Sequence, residues 1–312
     1  MKIISLFCGC GGFDLGMKMA GHTIVWANEW DDDACETYVS NVCKYITRGD
    51  ICNISSGEIP NGDIVIGGFP CQGFSLANKK RSIKDERNIL YKEFCRIVEE
   101  KKPKYFLAEN VRGILSLGKG QVIKTIIKDF EGLGYRVKYR CFNTADYGVP
   151  QTRVRVIIAG TRNDLPVDSN YVFPEPSHSK VLDPQKELFL ELQPWVSIAE
   201  ALKNIPEPGA DGFSFKNHYG SKYKITNRNY TGHRTTDPHK PSPTILARGN
   251  GKGGVCALQH PNNHRRLTIR ESAVVQTFPL EFEFFGSMNS CYRQIGNAVP
   301  VLFAKKLGLM LI

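Results

Sequence analysis

Two residues into the chain a short apolar run, Ile3-Ile4-Ser5-Leu6-Phe7, breaks straight into Cys8-Gly9-Cys10-Gly11-Gly12 and then into an amphipathic stretch ending near Gly21. Strand, glycine turn and helix in that order leave few folding options. The turn belongs at the carboxyl end of a sheet, where glycines let backbone approach a ligand that a Cβ would push away. The pattern repeats downstream: residues 23–28, 64–66, 105–108, 135–142 and 154–160 read as strands. Helical spacing over 87–101 puts Leu90, Phe94, Ile97 and Val98 on one face, and 121–130 reads as another helix, stopped by Gly132 and Gly134. Strands alternating with helices predict a parallel α/β sheet in the first half.

Two acidic residues follow the turn. Glu29 ends the second strand at a distance suited to a carboxylate that grips a ribose diol with both oxygens, and Asp50 is placed to accept from an adenine amino group. A glycine turn alone serves equally as plain structure; followed by two such acids it points to a nucleoside cofactor. Next, Gly67-Gly68-Phe69-Pro70-Cys71-Gln72-Gly73-Phe74-Ser75 follows the strand at 64–66, on a loop above the sheet near the same crevice. Cys71 by itself reads either as a small buried hydrophobe or as a nucleophile. The ten cysteines show no C-x-x-C pair and no Cys/His cluster at zinc spacing. Most are read as buried hydrophobes, and no metal is expected.

The pattern breaks down after Arg162. Pro166, Pro174, Pro176, Pro184 and Pro194 punctuate a loop-rich segment, and Ser197 with Glu200 forms a capping-box pattern for a short helix. Between Phe213 and Cys256, Lys216, Lys222, Lys224, Arg228, Arg234, Lys240, Arg248 and Lys252 are opposed only by Asp237. With a formal net charge of +10, this concentration favours a polyanionic partner, most simply nucleic acid. Helical patterning resumes at Arg270 and again after Pro300. No apolar run reaches the roughly 18 residues that span a bilayer. The N-terminus lacks the apolar core and cleavage site of a signal peptide, so a cytoplasmic protein with no membrane part is expected.

Taken in order, the stretches 7–12 and 67–75, Glu109-Asn110-Val111, Gln151-Thr152-Arg153-Val154-Arg155, Arg270-Glu271 and Gln294-Ile295-Gly296-Asn297-Ala298-Val299-Pro300 resemble the motifs of the bacterial-type DNA (cytosine-5)-methyltransferase family. The resemblance spans nearly the whole chain. Only about 166–264 lacks family motifs, and there the family places its variable target-recognition domain. The implied fold is α/β: a Rossmann-like S-adenosylmethionine-dependent methyltransferase domain (1–165 plus 295–312), a smaller irregular target-recognition domain (166–264) and a connecting region (265–294). Phe69 stands where many relatives have a first proline. Ser272 and Val274 differ from the Cys and Arg usual after Arg270-Glu271, a change expected to touch structure and spare the chemistry.

The resemblance implies a donor, S-adenosyl-L-methionine, leaving as S-adenosyl-L-homocysteine, and a substrate, double-stranded DNA. By the same match Cys71 is the nucleophile that adds to cytosine C6, turning the ring into an enamine that attacks from C5. Glu109 is the carboxyl group at N3 and the exocyclic amine, carrying its proton at that moment. Arg155 meets O2, and Arg153 helps hold the catalytic loop. Phe7, Gly9, Gly11, Gly12, Glu29, Trp30, Asp50, Ile51, Pro70, Leu90, Asn297 and Ala298 are matched to the cofactor pocket, with Trp30 and Ile51 expected to sandwich the adenine and core packing as their alternative. Because a stacked cytosine hides C6, the base must be flipped out. Gln72, Ser75, Lys79, Arg81 and Arg87 on the loop over it, and Arg228, Arg234, Thr244, Arg248 and Lys252 in the basic segment, are the DNA-binding candidates.

A monomer is expected, acting as the modification half of a restriction–modification system whose endonuclease works separately. Two other readings stay open. One is a tRNA-directed cytosine-5 methyltransferase of the same fold, faintly suggested by Cys141-Phe142; the other is a catalytically silent DNA-binding protein, which predicts a missing catalytic residue. Amino-directed methyltransferases carry an Asn/Asp-Pro-Pro-aromatic motif where this chain has Phe69-Pro70-Cys71.

Overall fold

The opening run is a strand, β1 (Lys2–Leu6), and later runs join it: β2 (Thr23–Glu29), β3 (Ile46–Arg48), β4 (Ile64–Gly67), β5 (Tyr105–Val111) and β6 (Tyr135–Asn143). The two-residue β7 (Gln151–Thr152) leads into the long β8 (Val154–Arg162), and the sheet runs in the order β3-β2-β1-β4-β5-β8-β6. The computed structural model describes residues 1–70, 89–180, 192–210, 215–220, 235–247, 258–262 and 265–311.

Neighbouring residues on the strands go to opposite faces, as a period of two requires. Ile3, Ile64, Ile66, Leu107 and Ile157 enter one core layer with α1 (Gly12–Met19) and α2 (Asp32–Asn41); Ile4, Val65, Phe106 and Ile158 enter the other with α3 (Ile89–Lys101) and α4 (Gln121–Gly132). Covered on both faces, the strands read as unbroken apolar runs. Each fully buried Ile or Phe side chain contributes about 1.5–3 kcal/mol.

The expected parallel sheet is only partly parallel. β1 pairs in parallel with β2 and β4, β2 with β3, and β4 with β5. β8 runs antiparallel to both β5 and β6, between which it is inserted. The cause is the link from β6 to β8, a 3-10 turn (Thr144–Tyr147) and β7, too short for the helical crossover that a parallel return needs. The reversal has a chemical consequence: the start of β8 lies beside the carboxyl end of β5.

The second half is shorter-ranged. β9 (His178–Ser179) pairs with β10 (Gln193–Pro194), and α5 (Ile198–Leu202) starts at Ser197, whose side chain accepts from Glu200 N at 3.1 Å. The reciprocal half of the expected capping box is replaced, since the Glu200 carboxylate pairs with Lys203. β11 (Ser242–Pro243) pairs in parallel with β7. Then follow α6 (Ile269–Val275), α7 (Met288–Asn297) and α8 (Val301–Gly308). A complete capping box stands at α6, where Thr268 and Glu271 satisfy each other's backbone N–H. α2 and α7 were not anticipated; each is capped, by Asp31 and by Ser287. Helix α8 returns to α1 at Gly16, where an added Cβ would meet Ala304 and would lie 2.5 Å from the Val301 carbonyl oxygen.

Among the described residues no helix is long and apolar enough to cross a membrane. Of the eight described cysteines, Cys10, Cys35 and Cys291 are buried, Cys8, Cys43 and Cys95 half-buried, and Cys52 and Cys141 exposed. Burial is therefore less general than their apolar character suggested. Burial pushes the thiols of Cys8 and Cys10 well above the usual range.

Candidate active site

The carboxyl ends of β1, β2 and β3 converge on the glycine turn. Phe7 and Gly9 take left-handed backbone (φ 54° and 56°), and Gly11 caps α1 at φ 88° without a side-chain hydrogen bond. Glu29, only 7% exposed, organises this corner: Oε2 accepts from Gly9 N at 2.8 Å, and Oε1 from Trp30 N and Asp31 N at 3.0 Å each. Three of its acceptor positions are thus taken by backbone, leaving one lone pair, on Oε2, for a further donor. Burial raises the Glu29 pKa, opposed by these same backbone N–H groups.

The turn is tight on one side and open on the other. A Cβ at Gly12 would sit 2.5 Å from the Val299 carbonyl oxygen and 3.1 Å from the Ala298 Cβ, whereas a Cβ at Gly9 would meet nothing within 4 Å. Trp30 is 79% exposed, so its core-packing reading is excluded, while Ile51, 1% exposed, is core. Asp50 is exposed, one oxygen accepting from Cys52 N at 3.0 Å, and Leu90 is half-buried against the core. Asn297 is exposed and Ala298 half-buried at the far side of the turn. An open glycine face, uncapped helix amides, an exposed indole and a buried carboxylate suit a nucleoside bearing an amino-acid tail. Among the described residues no group of three or more His, Cys, Asp or Glu side chains is arranged to hold a metal ion.

Beside this crevice stands a second group of charges. Glu109 on β5 is opposite Ile157 on β8, and Arg155, two residues earlier, is its diagonal neighbour on the same face. Arg155 Nε lies 2.9 Å from Glu109 Oε1 in an ion pair that is largely out of solvent. The pair is not aligned as a hydrogen bond, and Glu109 Oε1 has no hydrogen-bond partner among the described residues. Glu109 Oε2 faces the loop after β4, where a Cβ at Gly68 would come within 3.2 Å. That loop is itself fixed: the Phe69 ring packs on Tyr91 and Phe94, and Asn110 Nδ2 donates to the Phe69 carbonyl at 3.0 Å. Pro70 is exposed, and the chain continues to Cys71. Asn110 was legible only as a member of its motif; a buried amide directly after a site carboxylate was the available signal.

Arg153 is 1% exposed and has no carboxylate partner among the described residues. Nη1 donates to the Ile245 carbonyl at 3.2 Å, Nη2 to the Asn297 carbonyl at 3.5 Å, and Nε is unsatisfied. Burial, then the neighbouring Arg155, lower its pKa to about 9. Thr244, expected at DNA, donates its hydroxyl to the Thr152 carbonyl at 2.7 Å. The structure therefore brings Gly9 and Trp30 together on Glu29, sets Gly12 against Ala298 and Val299, and joins Glu109 with Arg155 near the loop that ends at Pro70. Cys71, Gln72, Ser75, Lys79, Arg81, Arg87, Arg228, Arg234, Arg248 and Lys252 lie outside the described residues.

Comparison with known proteins places these features in a family. The model of the C-5 cytosine-specific DNA methylase family matches residues 1–312. The Type II methyltransferase M.NgoFVII of Neisseria gonorrhoeae is 40% identical over 96% of this chain and 83% of its own length. M.FnuDI of Fusobacterium nucleatum, also a Type II methyltransferase, is 38% identical over 96% of this chain and 91% of its own. Among solved structures, the Schizosaccharomyces pombe Dnmt2 methyltransferase superposes with a TM-score of 0.71 over 100% of this chain and 98% of that one, at 20% identity, a likeness of fold alone.

Proposed function

The chain belongs to the C-5 cytosine-specific DNA methylase family and is a DNA cytosine-5 methyltransferase; from that premise we propose that it methylates one cytosine within a short duplex sequence, through a covalent bond from Cys71 to C6 of a flipped base. The observation that carries this reading is the Glu109–Arg155 pair, buried at the carboxyl end of the sheet beside the loop that leads into Cys71.

S-Adenosyl-L-methionine, when bound, supplies an electrophilic methyl group and departs as S-adenosyl-L-homocysteine. Its nucleoside and tail would be held at the glycine turn by Phe7, Glu29, Trp30, Asp50, Ile51 and Leu90. The Cys71 thiolate adds to C6, and the electron pair of the C5–C6 double bond moves into the ring toward N3. Glu109, protonated, donates to N3 and accepts from the exocyclic amine, while Arg155 steadies the charge gathering at O2. C5 then takes the methyl carbon as the bond from that carbon to the donor sulfur breaks, and N3 returns its proton to Glu109. Water takes the C5 proton, the electron pair of that bond re-forms the C5–C6 double bond, and the bond to Cys71 breaks, restoring the thiolate. Asn110 and Phe69 hold the start of the loop so that this geometry is assembled in advance.

Exposing C6 costs about a few kcal/mol of unstacking and unpairing. The basic residues from Lys79 to Arg87 are proposed to hold phosphates as this happens, and those from Arg228 to Lys252 to read the site. Residues 1–165 with 295–312 form the catalytic part in this reading, 166–264 the target-recognition part and 265–294 the connection. By analogy with its Type II relatives the chain is the modification component of a restriction–modification system. It acts alone in the cytoplasm, its cognate endonuclease working separately.

The decisive test uses duplex DNA carrying 5-fluorocytosine, which blocks loss of the C5 substituent. With S-adenosyl-L-methionine the protein is expected to become covalently attached through Cys71, and the Cys71→Ala variant not to. Plasmid from a methylation-deficient host, sequenced after bisulfite treatment, identifies the site. A plasmid equally protected by Cys71→Ala removes the mechanism.

A further inference from the structure

Between the basic segment and the catalytic sheet runs a chain of buried side-chain amides that the reaction scheme does not use. Gln151 and Gln276 are both fully buried. Ile245 N donates to Gln151 Oε1 at 2.8 Å; Gln151 Nε2 donates to Gln276 Oε1 at 2.9 Å; Gln276 Nε2 donates to the Ile295 carbonyl at 2.7 Å. A backbone donor at one end and a backbone acceptor at the other leave one orientation for each carboxamide. Reversing either would set donor against donor or acceptor against acceptor.

The same few residues of the basic segment are gripped throughout. Ser242 and Pro243 pair with Gln151 and Thr152; Thr152 Oγ1 donates to the Ser242 carbonyl at 3.2 Å; Arg153 takes the Ile245 carbonyl. From the other side α7 closes on them at Gly296. A Cβ there would collide with Ala247 N and would lie 2.5 Å from the Leu246 carbonyl carbon. The next turn of chain, Ala298 and Val299, abuts Gly12 of the cofactor turn. Stretch 242–247 is thus set on one strand that continues through Arg153 to Arg155, and against one helix end that touches the cofactor crevice.

We propose that Gln151 and Gln276 are positioning residues that hold stretch 242–247 in register with the Glu109–Arg155 pair, so that a base read by the basic segment is delivered at the correct depth for methyl transfer. The proposal rests on the reading of that segment as the DNA-recognition part. Neither glutamine touches substrate; each acts through backbone it holds. A buried relay that is only partly satisfied loses its geometry, so the two side chains should behave as one unit.

The test measures single-turnover methylation by the full chain of its cognate duplex and of duplexes with one flanking base pair changed, with cofactor and DNA affinities and thermal stability measured in parallel. Gln276→Met and Gln151→Met are expected to slow the cognate reaction about 10- to 100-fold and to reduce discrimination against altered sites about 10-fold, while the cofactor Kd moves less than about threefold. The double variant should be no worse than the worse single one. The isosteric Gln276→Glu and Gln151→Glu, which keep the volume but lose one donor, should show the same loss of discrimination even where a methionine variant folds poorly. Arg248→Ala and Lys252→Ala in the basic segment serve as the reference for recognition. If these leave the methylated sequence unchanged, the recognition reading fails and the proposal with it. If they change it while the glutamine variants discriminate like the parent, or lose only thermal stability, or show additive losses, the relay itself is refuted.

Discussion

Glu29 and Glu109 are two carboxylates at the same edge of the sheet, on β2 and on β5 with β1 and β4 between them, 7% and 9% exposed, and they are treated in opposite ways. Both oxygens of Glu29 are engaged by backbone N–H groups, one from Gly9 in the glycine turn and two from Trp30 and Asp31 after β2. Glu109 faces the Arg155 guanidinium 2.9 Å away, and its Oε1 accepts no hydrogen bond among the described residues. A carboxylate so fully used defines the shape of a crevice. One left under-satisfied beside an arginine is available to a ligand that brings its own donors and acceptors. The same contrast extends to arginines: each of the three Arg270 guanidinium nitrogens donates, to the Lys216, Pro279 and Phe282 carbonyls, while Arg153 Nε finds no acceptor among the described residues.

The sharpest way to break this comparison is Glu109→Gln. The amide keeps size and polarity but cannot hand over a proton, so the single-turnover methylation rate should fall about 10²- to 10⁴-fold. Binding of cofactor and duplex DNA should change only a few-fold, and a variant with near-normal rate would place Glu109 with Glu29 as a structural acid. Glu29→Ala should invert the pattern. Three backbone N–H groups lose their acceptor, at about 1–3 kcal/mol for each that stays buried. Calorimetry should register lower stability and isothermal titration a cofactor affinity weakened about 10- to 100-fold, with the rate at saturating cofactor largely kept.

Asp14 adds a third buried carboxylate, beneath the same turn, with Oδ1 accepting from Tyr38 OH at 2.8 Å and Oδ2 unpartnered. Burial raises its pKa from 3.8 to about 6. A carboxyl group whose folded pKa is raised stabilises the fold fully below the unfolded value and loses that contribution as pH climbs through the folded one. Chemical denaturation should thus show wild-type stability declining by about 1–3 kcal/mol between roughly pH 4 and pH 6 relative to Asp14→Asn. Parallel pH profiles for the two proteins would remove Asp14 from the account. The smallest effect is expected of Gly9→Ala. Its Cβ meets nothing, so only the left-handed backbone strain of about 1–2 kcal/mol is felt in stability. Cofactor affinity should drop because the methyl group enters the open side of the turn. Unchanged affinity would mean that the ligand lies elsewhere.

The elements that periodicity identified carry their apolar residues either in an unbroken run, as β1 and β4 do, or along one helical face, as α3 does. Helices α2 and α7 escaped because their sequences mix polar and β-branched residues, and their caps, Asp31 and Ser287, were the only local sign. The motif residues around the glycine turn, Glu109 and Arg155 were legible because their chemistry restricts residue type as well as spacing. Asn110, Gln151 and Gln276 were not assigned roles, since an amide in a motif looks the same whether it binds a ligand or a backbone carbonyl. Thr244 shows the converse, a residue expected at DNA whose hydroxyl is committed to Thr152.

What the sequence by itself determined is most strands of the main sheet with helices α1, α3 and α4, the glycine turn with its acids, and the family to which the motifs belong, because these depend on local spacing and on residue chemistry. Only the tertiary structure decided that β8 runs backwards. That reversal follows from the shortness of the link after β6 and from pairing with β5, contacts made far along the chain. It brings Arg155 to Glu109 and, through Gln151 and Arg153, ties the basic segment to both. Side chains that meet across a sheet are chosen by strand order and register, and no local pattern carries that information.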